Sequence, residues 1–244
     1  MSDLIRGWRR LAVSTAATLA TAAGALFTTS SLASMVAPSG PPNPDDWVTP
    51  SQVGQTLATL RTGGYVLVMR HATTDPSQVD QQPVDLKDCS TQRNLTDIGR
   101  LNARGWGRVL RASAVPVGSV LASEYCRTRE TAEYLGYPAW TSNAALTMPV
   151  PHNADSEAQQ GRALKALVSI EPASGTNTLL ITHNVNLVAA FGSDAAQVGE
   201  ADLIVLKPGP VDASVVARLR IRDVAQYARD TSLLKAADEK EGAK

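Results

Sequence analysis

Two arginines and two histidines of this 244-residue chain stand where apolar stretches stop. Arg70 and His71 end an apolar run that begins at Tyr65. Arg127 follows a second apolar run, and His183 follows a third. Guanidinium groups bind anionic oxygens in a planar fork, and imidazole serves as a nucleophile or a proton carrier. These residue types would therefore form an anion-binding site with catalytic groups if the chain brought them together.

Regular elements of a parallel sheet would position these residues. The apolar runs 65–69, 117–122 and 178–182 predict buried parallel strands, whose carboxyl ends line one crevice. The segments between them predict helices, so the expected fold class is α/β, a three-layer α/β/α sandwich with a mainly parallel sheet and helices on both faces. Helices are predicted to begin at Thr49-Pro50 and at Thr96, and two more are predicted to follow Arg127 and His183. A fifth helix is predicted to end at about Ile170. A hairpin is predicted from 201–207 and 215–221, at the sheet edge.

The first 34 residues have the layout of an export signal. Arg6, Arg9 and Arg10 precede a charge-free run from Leu11 to about Leu32, and small residues follow it. The arginine pair resembles a twin-arginine signal only loosely, so a general secretory signal describes it better. Because the run is almost long enough to span a bilayer, an uncleaved membrane anchor is the alternative. We expect an exported, periplasmic or extracytoplasmic protein that would contact a membrane only through this segment.

Composition divides the rest of the chain into three parts. Residues 35–46 hold four prolines and predict an extended linker. The folded domain is predicted over 47–230. Residues 231–244 are rich in Lys and Glu and poor in apolar residues, so we expect a disordered tail there.

The residue totals argue against several classes of protein. The 23 basic residues balance 23 acidic ones, so no nucleic-acid-binding surface is implied. Three histidines and two cysteines show no zinc-ligand spacing, which argues against a structural metal. The two cysteines are also too few for a disulfide scaffold.

Four segments, in the same order along the chain, resemble the histidine phosphatase superfamily, which includes the phosphoglycerate mutases. Arg70-His71 resembles the Arg-His signature of that family, and Leu95-Thr96-Asp97-Ile98-Gly99 resembles its Leu-Thr-x-x-Gly segment. Ser123 to Ala132 resembles its Ser-x-x-x-Arg-x-x-x-Thr-Ala element, and Thr182-His183-Asn184 resembles the segment of its second histidine. The match covers roughly residues 65–206 and implies a phosphoglycerate mutase-like fold.

The resemblance also implies a role for each charged residue. His71 would be the nucleophile that takes the phosphoryl group, with its other ring nitrogen held as a hydrogen-bond donor. Arg70, Arg127 and His183 would surround the phosphoryl oxygens, with Asn184 beside them. Water would then hydrolyse the phosphohistidine. Because the fixed cations would take the place of a metal, no metal and no cofactor is expected.

The proton donor for the leaving group is where this chain departs from the family pattern. Asn184 stands where one branch of the family has Asp, and an amide cannot donate a proton as an acid. Asp155 and Glu157 fall roughly where the other branch has its glutamate, so they are the candidate general acids. Either could equally be a charge at a helix N-terminus. His152 is a loop residue outside the matched segments.

A polar loop without periodicity is predicted over residues 73–92, above the crevice, where substrate selection would take place. Cys89 lies in this loop, and Cys126 lies beside Arg127. In an oxidising compartment the two cysteines could form a disulfide that holds the loop. Two separate thiols are the alternative, because the sequence does not give the distance between them.

The sequence thus predicts a metal-independent phosphatase that acts on a small phosphorylated substrate through a phosphohistidine at His71. Family members with export signals point to cell-envelope or lipopolysaccharide phosphates as the substrate class. A phosphohistidine phosphatase and a non-catalytic phosphate-binding protein of the same fold are the alternatives, as is a membrane-anchored partner protein.

Overall fold

A computed structural model describes residues 47–137 and 139–235. The strands are β1 (Val66–Arg70), β2 (Val117–Ala122), β3 (Trp140–Ser142), β4 (Asn177–Thr182), β5 (Leu203–Lys207) and β6 (Ser214–Leu219). The helices are α1 (Pro50–Leu60), α2 (Asp97–Ala112), α3 (Cys126–Leu135), α4 (Ala154–Val168), α5 (Asn184–Phe191) and α6 (Ile221–Asp230). Short 3-10 turns lie at Cys89–Thr91, Ala144–Leu146 and Ser193–Gln197.

The six strands form one mixed sheet in the order β3-β2-β4-β1-β5-β6. The pairs β1 with β4, β2 with β4 and β2 with β3 are parallel. Strand β5 runs antiparallel to both β1 and β6, so the predicted hairpin is present and β6 forms the edge. The prediction of a mainly parallel sheet is confirmed.

Helices cover both faces of the sheet because successive strand residues point to opposite sides. On one side, Leu67 and Met69 of β1 pack in a core with residues of α1, α2, α3 and α6. On the other side, Val66 and Val68 pack in a second core with residues of α4 and α5. A strand buried on both faces needs a continuous apolar run, which explains the sequence pattern that predicted β1.

The start of α2 lies against the chain that leaves β1. Thr96 Oγ1 accepts a hydrogen bond from the Gly99 N–H at 3.0 Å, and the Thr96 N–H donates to Thr73 O at 3.0 Å. A Cβ atom on Gly99 would lie 2.0 Å from Thr73 O, so any other residue would push α2 away. The glycine of the Leu-Thr-x-x-Gly segment is therefore required for close contact with the chain two residues beyond His71.

The amino end of the sheet is closed by one buried amide. Asn177 Nδ2 donates to Leu60 O and to Pro116 O, both at 2.8 Å. Asn177 Oδ1 accepts from the Tyr65 N–H at 3.1 Å. This side chain joins the end of α1 and the starts of three adjacent strand segments, and it uses all of its polar atoms.

Two elements differ from the sequence prediction. Strand β3 was not among the predicted strands, because it is too short to show periodicity. Helix α6 begins at Ile221, where the sequence predicted the end of a strand. Leu233 and Leu234, within the segment predicted to be a disordered tail, pack against the first core, and residues 236–244 lie outside the described part of the chain.

The predicted export signal (1–34) and linker (35–46) lie outside the described residues. Within the described part of the chain, no helix is both long and apolar enough to cross a membrane.

Candidate active site

The carboxyl ends of β2, β4 and β1 are neighbours in the sheet, as predicted. Arg70 pairs with Thr182 in the parallel register, and the His71 N–H donates to Thr182 O at 3.0 Å. On the other side of β4, the Ser123 N–H donates to Ile181 O at 3.0 Å. These backbone bonds bring the residues that follow all three strands to one edge of the sheet.

His71 is held in a single orientation. Its side chain is buried, with 1% exposure, and Nδ1 lies 2.9 Å from Ala72 O. A carbonyl oxygen only accepts, so Nδ1 carries the ring proton and Nε2 keeps its lone pair. The Ala72 N–H donates to Thr131 Oγ1 at 3.0 Å, and Thr131 in turn donates to Arg127 O at 2.6 Å. The threonine of the third matched segment therefore fixes the backbone that orients His71.

His183 lies beside His71, with 5.4 Å between the ring centroids. Its Nε2 is 2.7 Å from Ser123 Oγ, which already accepts a hydrogen bond from the Tyr125 N–H at 3.2 Å. The Ser123 hydroxyl proton is thus available for Nε2, and Nδ1 then carries the ring proton. The Tyr125 ring packs edge-on against His183 at 4.9 Å. These contacts position a second imidazole next to the first.

Arg127 enters the site from the first turn of α3 and is 1% exposed. Its Nη1 and Nη2 donate to the two carboxylate oxygens of Asp80, at 2.9 and 3.1 Å. Nη1 also lies 3.3 Å from Arg93 O. The guanidinium carbon lies 4.5 Å from the centroid of the Tyr125 ring, a cation–π contact.

Arg70 is partly exposed and is anchored from the opposite side of the site. Its Nη1 donates to Val198 O at 3.0 Å, and its Nη2 lies 3.7 Å from Glu200 Oε1. Glu200 is itself fixed, because it accepts hydrogen bonds from the Thr74 N–H at 3.1 Å and from Thr74 Oγ1 at 2.5 Å. Arg93 lies 4.0 Å from the same carboxylate.

The arginines and the burial of the site keep both histidines neutral. Burial is the largest cause that lowers the pKa of His71 well below its ordinary value, and the charge of Arg127 is the next. Burial and Arg127 lower the pKa of His183 in the same way, followed by His71 and Arg70. A neutral His71 with an available Nε2 lone pair is the form that can act as a nucleophile.

Three buried nitrogens at this end of the sheet have no hydrogen-bond partner among the described residues: Arg70 Nε, Arg127 Nε and His183 Nδ1. Buried donors are normally paired, and each unpaired one carries a desolvation cost. An anion with several acceptor oxygens would satisfy such donors. The arrangement therefore fits a phosphate or a similar anion beside His71.

Two predicted site residues lie apart from this group. Asp155 lies in the exposed first turn of α4. Glu157 pairs with His152, with 3.2 Å between Oε1 and Nε2. Among the described residues, neither carboxylate has a hydrogen bond or ion pair with Arg70, His71, Arg127 or His183. The structure gives no support to either as the general acid.

Asn184 is the first residue of α5, directly after His183. Its Nδ2 lies 3.4 Å from three carbonyl oxygens of residues 195–198, including Val198 O, which also accepts from Arg70. Asn184 therefore contacts the turn that holds Arg70, and its contact with substrate stays a prediction.

The sequence analysis missed Asp80, Arg93 and Glu200. Asp80 lies on the loop that was predicted to cover the crevice, Arg93 directly follows that loop, and Glu200 lies on the turn before β5. No periodicity or motif marks them. The only available signal was the predicted position of the loop.

The loop is attached to α3 by a covalent bond. Cys89 and Cys126 form a disulfide, with 5.7 Å between their Cα atoms. Cys126 immediately precedes Arg127, so the disulfide ties the loop that carries Asp80 to the helix that carries its partner. Of the two arrangements that the sequence left open, the structure has the bonded one.

A cleft of about 470 Å³ opens beside this group. Tyr125, Met148 and the segment 149–151 supply an apolar wall, and Asp80, Gln82 and His152 supply polar groups. In the described part of the chain, no three His, Cys, Asp or Glu side chains are grouped so that they could hold a metal ion.

Comparison of the sequence with known families and with curated proteins finds no match. Solved structures do match. A protein from Escherichia coli, provisionally named an alpha-ribazole-5′-P phosphatase, has a TM-score of 0.50 and 13% identity, over 65% of this chain and 98% of that one. The mycobacterial glucosyl-3-phosphoglycerate phosphatase Rv2419c has a TM-score of 0.47 and 16% identity, over 64% and 99%. The protein histidine phosphatase SixA, solved with tungstate, has a TM-score of 0.46 and 16% identity, over 66% and 99%.

At such low sequence identity, structural similarity establishes the fold alone. The activity must be inferred from the residues of the site. The E. coli structure matches over nearly its whole length, so the described domain shares that architecture. The predicted α/β fold is confirmed, and it is the phosphoglycerate mutase-like fold.

Proposed function

We propose that this protein is a metal-independent phosphatase that hydrolyses phosphomonoesters through a phosphohistidine at His71. The proposal rests on the tautomer and the neutral charge of the His71 ring. Its Nδ1 is bound to Ala72 O, its Nε2 keeps a lone pair, and its lowered pKa keeps the ring neutral. These are the three conditions that a histidine nucleophile must meet.

The surrounding donors support transfer of a phosphoryl group in particular. Arg70 Nε, Arg127 Nε and His183 Nδ1 are buried and unpaired, and together they would bind the phosphoryl oxygens. Positive charge placed at those oxygens lowers the barrier, because charge is spread over them in the transition state. Water would then attack the phosphorus atom, break the P–N bond and restore the neutral imidazole.

The proposal is tested with the full-length chain and para-nitrophenyl phosphate, in a buffer that contains a metal chelator. The His71→Asn variant is the matched control, since the amide side chain still fills part of the site. We expect turnover by the wild type and none by the variant, and wild type denatured in alkali, in which the P–N bond of a phosphohistidine is stable, should carry a phosphoryl group on His71. If wild type and variant both lack activity while phosphate still protects the wild type against unfolding, the protein is a phosphate-binding protein and the proposed activity is wrong.

We further propose that the protein is exported and acts on phosphorylated components of the cell envelope. The proposal rests on the charge-free run after Arg10 and on the proline-rich segment that follows it. The N-terminus of the protein isolated from its own cells tests this. A mature chain that begins near Ser34 is expected, and a chain that retains residues 11–32 would instead indicate a membrane anchor.

A further inference from the structure

We propose that Asp80 is the proton donor to the leaving group of the substrate. This inference rests on the proposed phosphatase function and supplies the acid that the sequence comparison did not find. Asp80 belongs to none of the matched segments. It is assigned here from its position between the cationic residues and the adjacent cleft.

Asp80 is in direct contact with the residue that would hold the phosphoryl group. Its two carboxylate oxygens accept hydrogen bonds from Nη1 and Nη2 of Arg127, at 2.9 and 3.1 Å. Oδ1 also accepts from the Arg93 N–H at 2.9 Å. A phosphoryl group bound at Arg127 would therefore lie beside this carboxyl group.

The same carboxylate lines the cleft that would receive the rest of the substrate. Asp80 and Gln82 face this cleft together with Tyr125, Met148 and the segment 149–151. The Arg127 guanidinium stacks on the Tyr125 ring, so the cleft adjoins the phosphate site directly. The oxygen that joins phosphorus to the leaving group must lie where the two spaces meet. Asp80 lies at that junction.

The other carboxylates near the site are less well placed. Glu200 accepts two hydrogen bonds from Thr74 and does not line the cleft. Glu157 pairs with His152 at the cleft rim and has no contact with either arginine of the site. Asp80 is the described carboxylate that both contacts a site arginine and faces the cleft.

Asp80 acts as an acid in the first step of the reaction and as a base in the second. His71 Nε2 uses its lone pair to form the P–N bond while the P–O bond breaks, and Asp80 gives its proton to the departing oxygen. In the second step the Asp80 carboxylate accepts a proton from water as the water oxygen bonds to phosphorus. The P–N bond then breaks, its electron pair returns to Nε2, and Asp80 is again a carboxylic acid.

Leaving groups of graded acidity test the proposal in the full-length protein. Para-nitrophenyl, phenyl and benzyl phosphates have similar size, but their leaving groups are progressively weaker acids and depend more on a donated proton. For Asp80→Asn we expect kcat/KM to fall about 10²- to 10³-fold for benzyl phosphate. For para-nitrophenyl phosphate, whose leaving group departs without a proton, we expect a fall of less than about tenfold.

Two further variants separate the proposal from its rivals. Asp85→Asn makes the same chemical change at an exposed position of the same loop, and it should leave the ratio of the rates for the three substrates unchanged. Glu157→Gln tests the earlier candidate acid, and it should also leave the ratio unchanged. An equal loss for all three substrates in Asp80→Asn would mean that Asp80 only orients Arg127, and the proposal would be wrong.

The remaining outcomes are equally decisive. No loss in Asp80→Asn, or a changed ratio in Glu157→Gln instead, would also overturn the assignment. If the wild type itself hydrolyses none of the three esters, the proposed function fails and the inference fails with it. That result is distinct from the others, because it appears in the wild type and does not depend on the leaving group.

Discussion

The two ends of the parallel strands differ in whether their buried polar atoms have hydrogen-bond partners. At the amino end, Asn177 pairs every polar atom of its side chain with backbone groups. At the carboxyl end, Arg70, Arg127 and His183 each keep a buried nitrogen without a partner. An unpaired buried polar group costs about 1–3 kcal/mol of folding free energy. The pairing at the amino end therefore stabilises the fold. At the carboxyl end the desolvation cost of the unpaired nitrogens remains until a ligand binds them.

The two ends also differ in whether their buried groups are ionisable. Burial of Arg127 and of the two histidines at the carboxyl end opposes their charged forms, and the pKa of each is lowered. At the amino end the central buried group is an uncharged amide. Mutations at the two ends should consequently separate activity from stability, and the following predictions test this separation.

The largest effect is expected for Arg127→Met. Loss of the guanidinium should lower kcat/KM for para-nitrophenyl phosphate about 10³-fold, or about 4 kcal/mol of transition-state stabilisation. The free energy of unfolding, measured with urea, should fall by less, because Asp80, the carboxylate left without its partner, is partly exposed and can be solvated. If the free energy of unfolding fell by as much as the transition-state stabilisation, the carboxyl end would matter equally for stability and activity, and the distinction between the two ends would be wrong.

The next effect is expected at the disulfide, which attaches a loop at the carboxyl end only. The double variant Cys89→Ser/Cys126→Ser should lose about 2–4 kcal/mol of unfolding free energy, since the bond closes a long loop in the unfolded chain. Reductant should destabilise the wild type by a similar amount and leave the variant unaffected. A wild type that is insensitive to reductant under unfolding conditions would contradict this.

At the amino end, Asn177→Ala should lower the free energy of unfolding by about 2 kcal/mol, because it leaves buried backbone groups unpaired. Its kcat/KM at 25 °C should stay within about threefold of the wild type, a difference below 1 kcal/mol. Asn184→Ala is the matched control for stability, since the Asn184 contacts are all 3.4 Å long. Equal destabilisation by the two substitutions would show that the pairing of Asn177 is unimportant.

The last prediction is a dependence of stability on pH. The folded protein holds His71 and His183 neutral, whereas the unfolded chain protonates them below about pH 6.5. The unfolded state then binds more protons, so stability decreases as the pH falls below about 6.5, by up to about 1.4 kcal/mol per pH unit for each histidine. Urea unfolding from pH 7 to 5 measures this slope. The His71→Asn variant should show a shallower slope, and an identical slope would mean that His71 does not contribute.

The sequence predicted most of the architecture because its signals are local. Continuous apolar runs marked the buried strands, and Thr96 marked a helix start that the structure contains. The same signals failed at β3, which is three residues long, and at α6, where an amphipathic helix follows a strand after one residue.

The positions of the candidate site residues were predictable where they follow strands. Arg70, His71, Arg127 and His183 were predicted to lie near one another, and in the structure they do. Asp155 and Glu157 were chosen by their order in the chain, and the structure instead brings Asp80 to Arg127 from 47 positions earlier.

The sequence by itself determined which residues end the strands, because strand burial requires a continuous apolar pattern and polar residues can follow only where the strand leaves the core. Only the tertiary structure decided which partner each polar atom has. The pairings of Asp80 with Arg127, of Glu200 with Arg70 and of Cys89 with Cys126 depend on the path of irregular segments. Such segments have no periodicity, and their course is fixed by contacts between residues that are distant in the chain.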